Sequence, residues 1–191
     1  MSSPATEAPR RQLSERQAQV VQNLTDAAVE QIRAAGYDGL TVRNVAARAG
    51  VAPATAYTYF ASKDHLIAEA FWRRIRALPE PRIEKRRVAL RVKAALKDLT
   101  AVLASEPQLA AASTTAMLAG DPDVKHIRDR VGAEIRRRLQ LALGDDDGEP
   151  TLMALELTVG GAMIRAGMGH LDYAELPERV ADVAGLLLDR R

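Results

Sequence analysis

The chain has 191 residues, 47% of them hydrophobic and 27% charged, with a formal net charge of +2 and no cysteine. That apolar content supplies a core and excludes wholesale disorder, while the missing thiols exclude disulfide scaffolds, cysteine nucleophiles and cysteine-ligated metal centres. No uninterrupted apolar run reaches the roughly 18 residues of a spanning helix, and the opening MSSPATEAPRRQLSERQ lacks the apolar stretch of a secretory signal, so a soluble cytoplasmic protein with no membrane partner is expected.

Apolar residues recur at the helical period along nearly the whole chain, which predicts an all-α fold of about nine helices. Residues 1–13 read as a flexible basic arm. Ser14-x-x-Gln17 is a capping box, and Val20, Val21, Leu24, Ala28, Ile32 and Ala35 form one stripe that Gly36 stops. Thr41 caps a short second helix, with Leu40 and Val45 as its hydrophobic staple. Gly50 interrupts, and Pro53 opens a third helix ending near Phe60. Ser62 caps a fourth, whose core face is Leu66, Ile67, Ala70, Phe71 and Ile75. Pro79 and Pro81 then break the chain and place a boundary between a domain of residues 14–78 and one of residues 82–191. Val88, Val92, Leu96, Leu99 and Leu103 mark a long helix. Ser105-x-x-Gln108 predicts a cap for the next, which runs to Gly120. Asp121-Pro122 starts another, with Val124, Ile127, Val131, Ile135, Leu139 and Ala142 on its buried face. GDDDGEP, residues 144–150, reads as a linker before closing helices at about 151–169 and 177–190.

The informative segment is LTVRNVAARAGVAPATAYTYFASKDHL, residues 40–66. It reads as two short helices joined by a tight turn at Ala49-Gly50-Val51, the spacing of a helix-turn-helix. Val45, Ala46, Ala49, Val51, Ala56 and Phe60 can pack inward, leaving Arg43, Thr55, Tyr57, Thr58, Tyr59 and Lys63 outward. Tyrosines, a threonine and flanking cations on one face suit phosphate oxygens and thymine methyls.

Residues 14–76 resemble the N-terminal DNA-binding domain of the TetR family of transcriptional regulators. The resemblance is carried by the LTVRNVAARAGV helix, the Tyr57-x-Tyr59-Phe60 end of the recognition helix and the SKDHL start of the next. Residues 82–191 match only in length and helical character. The resemblance implies a homodimeric regulator, most often a repressor, that binds a palindromic double-stranded operator and is released by a small molecule, with no cofactor and no metal. It also implies that Thr41 and Arg43 meet the DNA backbone or a base edge, and that Pro53, Ala54, Thr55, Thr58 and Tyr59 face the groove. Tyr57 and Lys63 would then contact phosphates. Ala52, Pro53 and Ala54 depart from a common pattern, since they carry no side-chain donors, so readout there is expected through thymine methyls or DNA shape. Arg10, Arg11 and Arg16 suit an arm along the backbone or minor groove. IEKRRVALRVK (83–93) and Arg136, Arg137 and Arg138 read as solvated helix faces.

Of the aromatic residues, only Tyr173 falls after residue 72. A cavity in the second half would therefore be walled by Leu, Ala, Val and Met, with Thr114 and Thr115 as its few polar contacts, and would suit an aliphatic or lipid-like effector. The candidate pocket is Trp72, Leu99, Leu103, Thr114, Met117, Leu118 and Met163. TVGGAMIRAGMGH and VADVAGLLL read as a dimer surface, with Leu152, Leu155, Val159, Met163, Val180, Val183 and Leu187 in a four-helix bundle between protomers. The same composition also describes a fully packed core, and hence a ligand-independent DNA-binding dimer. An enzyme is not expected. His65, His126 and His170 are isolated, no Walker, GxGxxG, HExxH or GxSxG motif occurs, and the acidic run at 145–149 lacks EF-hand spacing.

Overall fold

The computed structural model describes residues 14–84, 87–144 and 148–188. Among them the chain forms nine α-helices and no strand: α1 Glu15–Ala35, α2 Val42–Arg48, α3 Pro53–Tyr59, α4 Lys63–Arg76, α5 Val88–Ser105, α6 Pro107–Met117, α7 Pro122–Leu143, α8 Glu149–Gly167 and α9 Leu176–Leu188, with a 3-10 turn at Tyr173–Glu175 before the last. The all-α fold is thus as the apolar period predicts. None of these helices is long and apolar enough to cross a membrane. Arg10 and Arg11 of the basic arm, and Asp145, Asp146 and Asp147 of the acidic run, lie outside the described residues.

Local chemistry explains most helix starts. The Ser14 hydroxyl accepts from the Gln17 N–H while the Gln17 side chain accepts from the Ser14 N–H. Thr41 and Asn44 form a second reciprocal box, and the Asn44 amide also donates to the Gly39 carbonyl at 2.8 Å. The Ser105 cap does not form. α5 continues through Ser105, whose hydroxyl donates back to the Val102 carbonyl, and Pro107 at the first position of α6 makes Glu106 the cap residue instead.

Two apolar cores form, and they do not divide at Pro79. The first joins α1, α2, α3 and the start of α4 to Leu109, Ala112 and Ala116 of α6. The second takes Ala68, Phe71 and Ile75 from the rest of α4 and packs them with α5, α7, α8 and α9. Polar contacts reinforce the junction. Arg33 of α1 and Arg74 of α4 both reach Glu106, at 3.0 and 3.1 Å, and the Ser62 hydroxyl donates to the Asp121 carboxylate at the head of α7. α4 therefore belongs to both halves.

The arginine triplet is not a solvated face. Arg138 is 1% exposed; its guanidinium donates to Glu134 at 2.7 Å and to the Pro79 carbonyl at 3.0 Å. Arg137 joins Glu134 to Glu80, and Arg136 joins Glu149 to Glu156. Hydrogen bonds from Arg137 and then Arg138, acting against burial, hold the Glu134 carboxyl below the usual carboxylate range. Arg137 and Arg138 strap the inter-helix segment after α4 onto α7, and Arg136 ties α7 to α8. In the 83–93 run, Lys93 pairs with Glu178 and Arg91 donates to the Leu143 carbonyl.

Candidate DNA interface and effector cavity

The turn between α2 and α3 depends on Gly50, whose φ of +66° lies in the left-handed region that favours glycine. It lets the Val51 N–H reach the Ala46 carbonyl at 2.9 Å and redirects the chain. Val45, Ala46, Ala56 and Phe60 are buried and Ala49 and Val51 half-buried, so the two helices lock together through the face the pattern assigns. Outward, α3 presents Pro53, Ala54, Thr55, Tyr57 and Thr58, and the head of α2 presents Thr41 and Arg43. Between Asp38 and Asp64 the chain has no acidic residue, so α2 and α3 themselves offer no carboxylate to repel a phosphate.

Four of the expected residues stand differently from a free outer-face group. Tyr59 is half-buried against the first core, so it is less open to the outer face than Tyr57. The Thr58 hydroxyl donates to the Ala54 carbonyl at 3.0 Å, and the Thr41 hydroxyl accepts within its cap, so neither is an unengaged group. Lys63 folds back: its ammonium stands 3.8 Å from the Tyr37 ring centroid and donates to the Tyr37 carbonyl at 3.3 Å. The Tyr37 hydroxyl in turn donates to Asp64 at 2.6 Å, and burial, reinforced by that bond, pushes its pKa up to about 12. Tyr37 carries no periodic signal, because it follows the helix stop at Gly36, and only its place beside Lys63 reveals it.

On the far side of α4, helices α6, α7 and α8 enclose an apolar cavity of about 270 Å³. Phe71, Ala110, Ser113, Val131 and Ile135 make its buried floor, and Leu118, Arg128, Gly132, Gly160 and Ile164 its exposed rim. Thr114, Met117, Leu118 and Met163 line it, as their positions suggest. Trp72, Leu99 and Leu103 do not: Trp72 is half-buried against the second core, and the α5 leucines pack on the α7 and α9 side, away from the opening. Two features escape the sequence. The Ser113 hydroxyl is buried with no hydrogen-bond partner among the described residues, and Arg128 donates to the Met117 and Ala119 carbonyls at 2.7 and 2.8 Å, pinning the end of α6 at the rim. α6 and α8 approach closely at Gly167, where a Cβ would stand 2.6 Å from the Thr114 hydroxyl oxygen.

The expected dimer surface needs correction. Leu152, Leu155, Val159 and Val180 are buried inside the chain's own second core, Met163 lines the cavity, and Val183 is half-buried; of these seven only Leu187 is exposed. α8 carries two apolar stripes, and a period of 3.6 cannot say which one the chain keeps for itself. The exposed stripe is Met153, Leu157, Ile164 and Met168.

Comparison with known proteins agrees with this geometry. Residues 24–70 match the family of bacterial regulatory proteins, tetR family. The HTH-type transcriptional regulator Rv0767c of Mycobacterium tuberculosis is 45% identical over 175 residues, covering 91% of this chain and 82% of the relative. The HTH-type transcriptional repressor KstR of Rhodococcus jostii is 31% identical over 130 residues, 67% of this chain and 60% of that one. A TetR transcriptional regulator from Rhodococcus sp. RHA1 superposes with a TM-score of 0.71 at 25% identity, over 93% of this chain and 99% of its own. A glycine-turned helix pair with an acid-free outer face, in a chain this similar to such regulators, is a DNA-binding unit, and the protein belongs to the TetR family of transcriptional regulators.

Proposed function

We propose that the protein is a cytoplasmic, homodimeric repressor that holds a palindromic operator and releases it when a small apolar molecule enters the α6–α8 cavity. The observation that carries this reading is Phe71. It forms part of the cavity floor, yet it stands on the helix that begins at Lys63, beside the recognition helix. An occupant that displaces Phe71 acts on α4, and α4 positions α3 through the first core. The apolar walls favour an aliphatic or alicyclic chain, with the buried Ser113 hydroxyl as a single polar anchor inside and Arg128 at the rim for a polar or anionic end. The cavity also argues against the ligand-independent alternative, which requires a filled core.

On the DNA side, Pro53, Ala54 and Thr55 meet base edges by apolar contact, while Arg43, Tyr57 and Lys63 contact phosphates. A two-fold dimer has to set its recognition helices about 34–36 Å apart to enter successive major grooves. A molecule that prefers another spacing shifts the population away from the bound form. Fluorescence anisotropy on the protein's own upstream DNA, with and without decanoate and across a salt series, tests the reading. We expect saturation at one dimer per site, a steep salt slope, and a decanoate effect of about 5–150-fold. Equal, weak binding to scrambled DNA overturns it.

A further inference from the structure

Lys63 has a carboxylate for its next neighbour. Asp64 follows it at the start of α4, and both side chains are half-buried there. Neighbours one position apart on a helix point about 100° away from one another, yet these two reach the same residue, Tyr37. The face of the Tyr37 ring carries the Lys63 ammonium, 3.8 Å from the centroid, and the Tyr37 carbonyl accepts from it at 3.3 Å. The Tyr37 hydroxyl donates to the Asp64 carboxylate at 2.6 Å, the short distance of a charge-assisted bond. Among the described residues Lys63 pairs with no carboxylate. An ammonium has three N–H donors, and a cation over a ring keeps its charge, so Lys63 is held in place with donor capacity to spare. Burial and the Asp64 bond push the Tyr37 pKa up to about 12, which keeps the hydroxyl a donor at neutral pH.

We propose that Tyr37 is a positioning residue for DNA binding: its ring fixes the Lys63 ammonium, and its hydroxyl holds the Asp64 carboxylate off that charge. This rests on the reading of Lys63 as a phosphate contact and names the residue that keeps the contact available. Without the hydroxyl, Asp64 loses its donor while a cation stands within reach. The ion pair that then forms has to be broken before a phosphate can take its place.

Anisotropy with a scrambled duplex, from low salt upward, reads Lys63 without any operator, because a phosphate contact is independent of sequence. Tyr37→Phe keeps the ring and removes the hydroxyl. With folding checked by circular dichroism, it is expected to weaken binding by up to about fivefold, the worth of an exposed ion pair, and to lower the salt slope by about one. Adding Asp64→Asn should restore both. Adding Asp38→Asn should restore neither, although it makes the same change of charge beside the same ring. Asp64→Asn alone keeps Tyr37 intact and tests the proposal even if Tyr37→Phe folds poorly: it should gain no more affinity than Asp38→Asn alone. An unchanged slope in folded Tyr37→Phe, equal rescue by the two asparagines, or a larger gain from Asp64→Asn alone overturns the proposal. Lys63→Ala separates the causes. An unchanged slope there removes the phosphate contact and the proposal with it, whereas a lowered slope there beside an unchanged one in Tyr37→Phe removes only the role of Tyr37.

Discussion

At single positions, the groups on the outer face of the helix-turn-helix are partly engaged within the chain itself, and that sharpens what their replacement should do. The Thr58 hydroxyl is already bonded to the Ala54 carbonyl, so Thr58→Val, which keeps the methyl, is expected to preserve base preference, and Thr58→Ala to relax it at one operator position. A binding panel over single base substitutions checks both, and an altered preference in Thr58→Val would assign readout to the hydroxyl. Lys63→Ala should weaken binding to all sequences alike and reduce the salt slope by about one; an unchanged slope would leave Lys63 a purely structural partner of Tyr37. Buried charge gives a stability prediction. Removing Arg138 leaves Glu134 with Arg137 alone and opens a void beside Pro79, so Arg138→Ala should cost about 3 kcal/mol, towards the lower end for a broken buried pair, measured by urea unfolding. Because Glu134 ionises more readily in the folded chain than in the unfolded one, its contribution is present above the ordinary glutamate value of 4.5 and fades as pH falls below it. Glu134→Gln should flatten that acid limb of the stability profile.

At the scale of helices, two glycines with the same residue type make opposite demands. Gly132 sits within α7 with open space at its missing Cβ, so Gly132→Ala should raise stability by about 0.5–1 kcal/mol through helix propensity. Gly167 is pressed against Thr114, so Gly167→Ala has to push α8 off α6 and should destabilise by about 1–3 kcal/mol; thermal unfolding of the pair distinguishes the two environments. The same contrast explains how far the sequence is legible. Helix positions follow from apolar period, caps and prolines, and the helix-turn-helix faces follow because a seven-residue helix against a turn has one inward choice. Ser105 misleads, since a capping signature is local and the preceding helix simply runs through it. Periodicity puts Leu99 and Leu103 at a pocket and Leu152 and Val180 at a surface, and the structure reverses both, because an apolar stripe does not say what it packs against. The burial of Arg138 depends on Pro79, 59 positions away, and no local pattern encodes that.

For the whole molecule, the two cores meet along α4, and the Ser62–Asp121 hydrogen bond fastens the start of that helix to α7. If movement at the cavity reaches the DNA face along this route, Asp121→Asn should leave operator binding within about twofold while shrinking the decanoate effect several-fold, a loss of coupling rather than of affinity. Anisotropy titrations with and without decanoate measure both, and an unchanged ratio would route the coupling through the first core instead. The chain holds one tryptophan, and Trp72 sits half-buried on α4, next to Phe71 and against the second core. The protein thus carries its own optical reporter at the junction between its two cores. Its intrinsic emission should shift in wavelength as the helix moves, so occupancy and release can be followed in real time, label-free, in the unaltered protein.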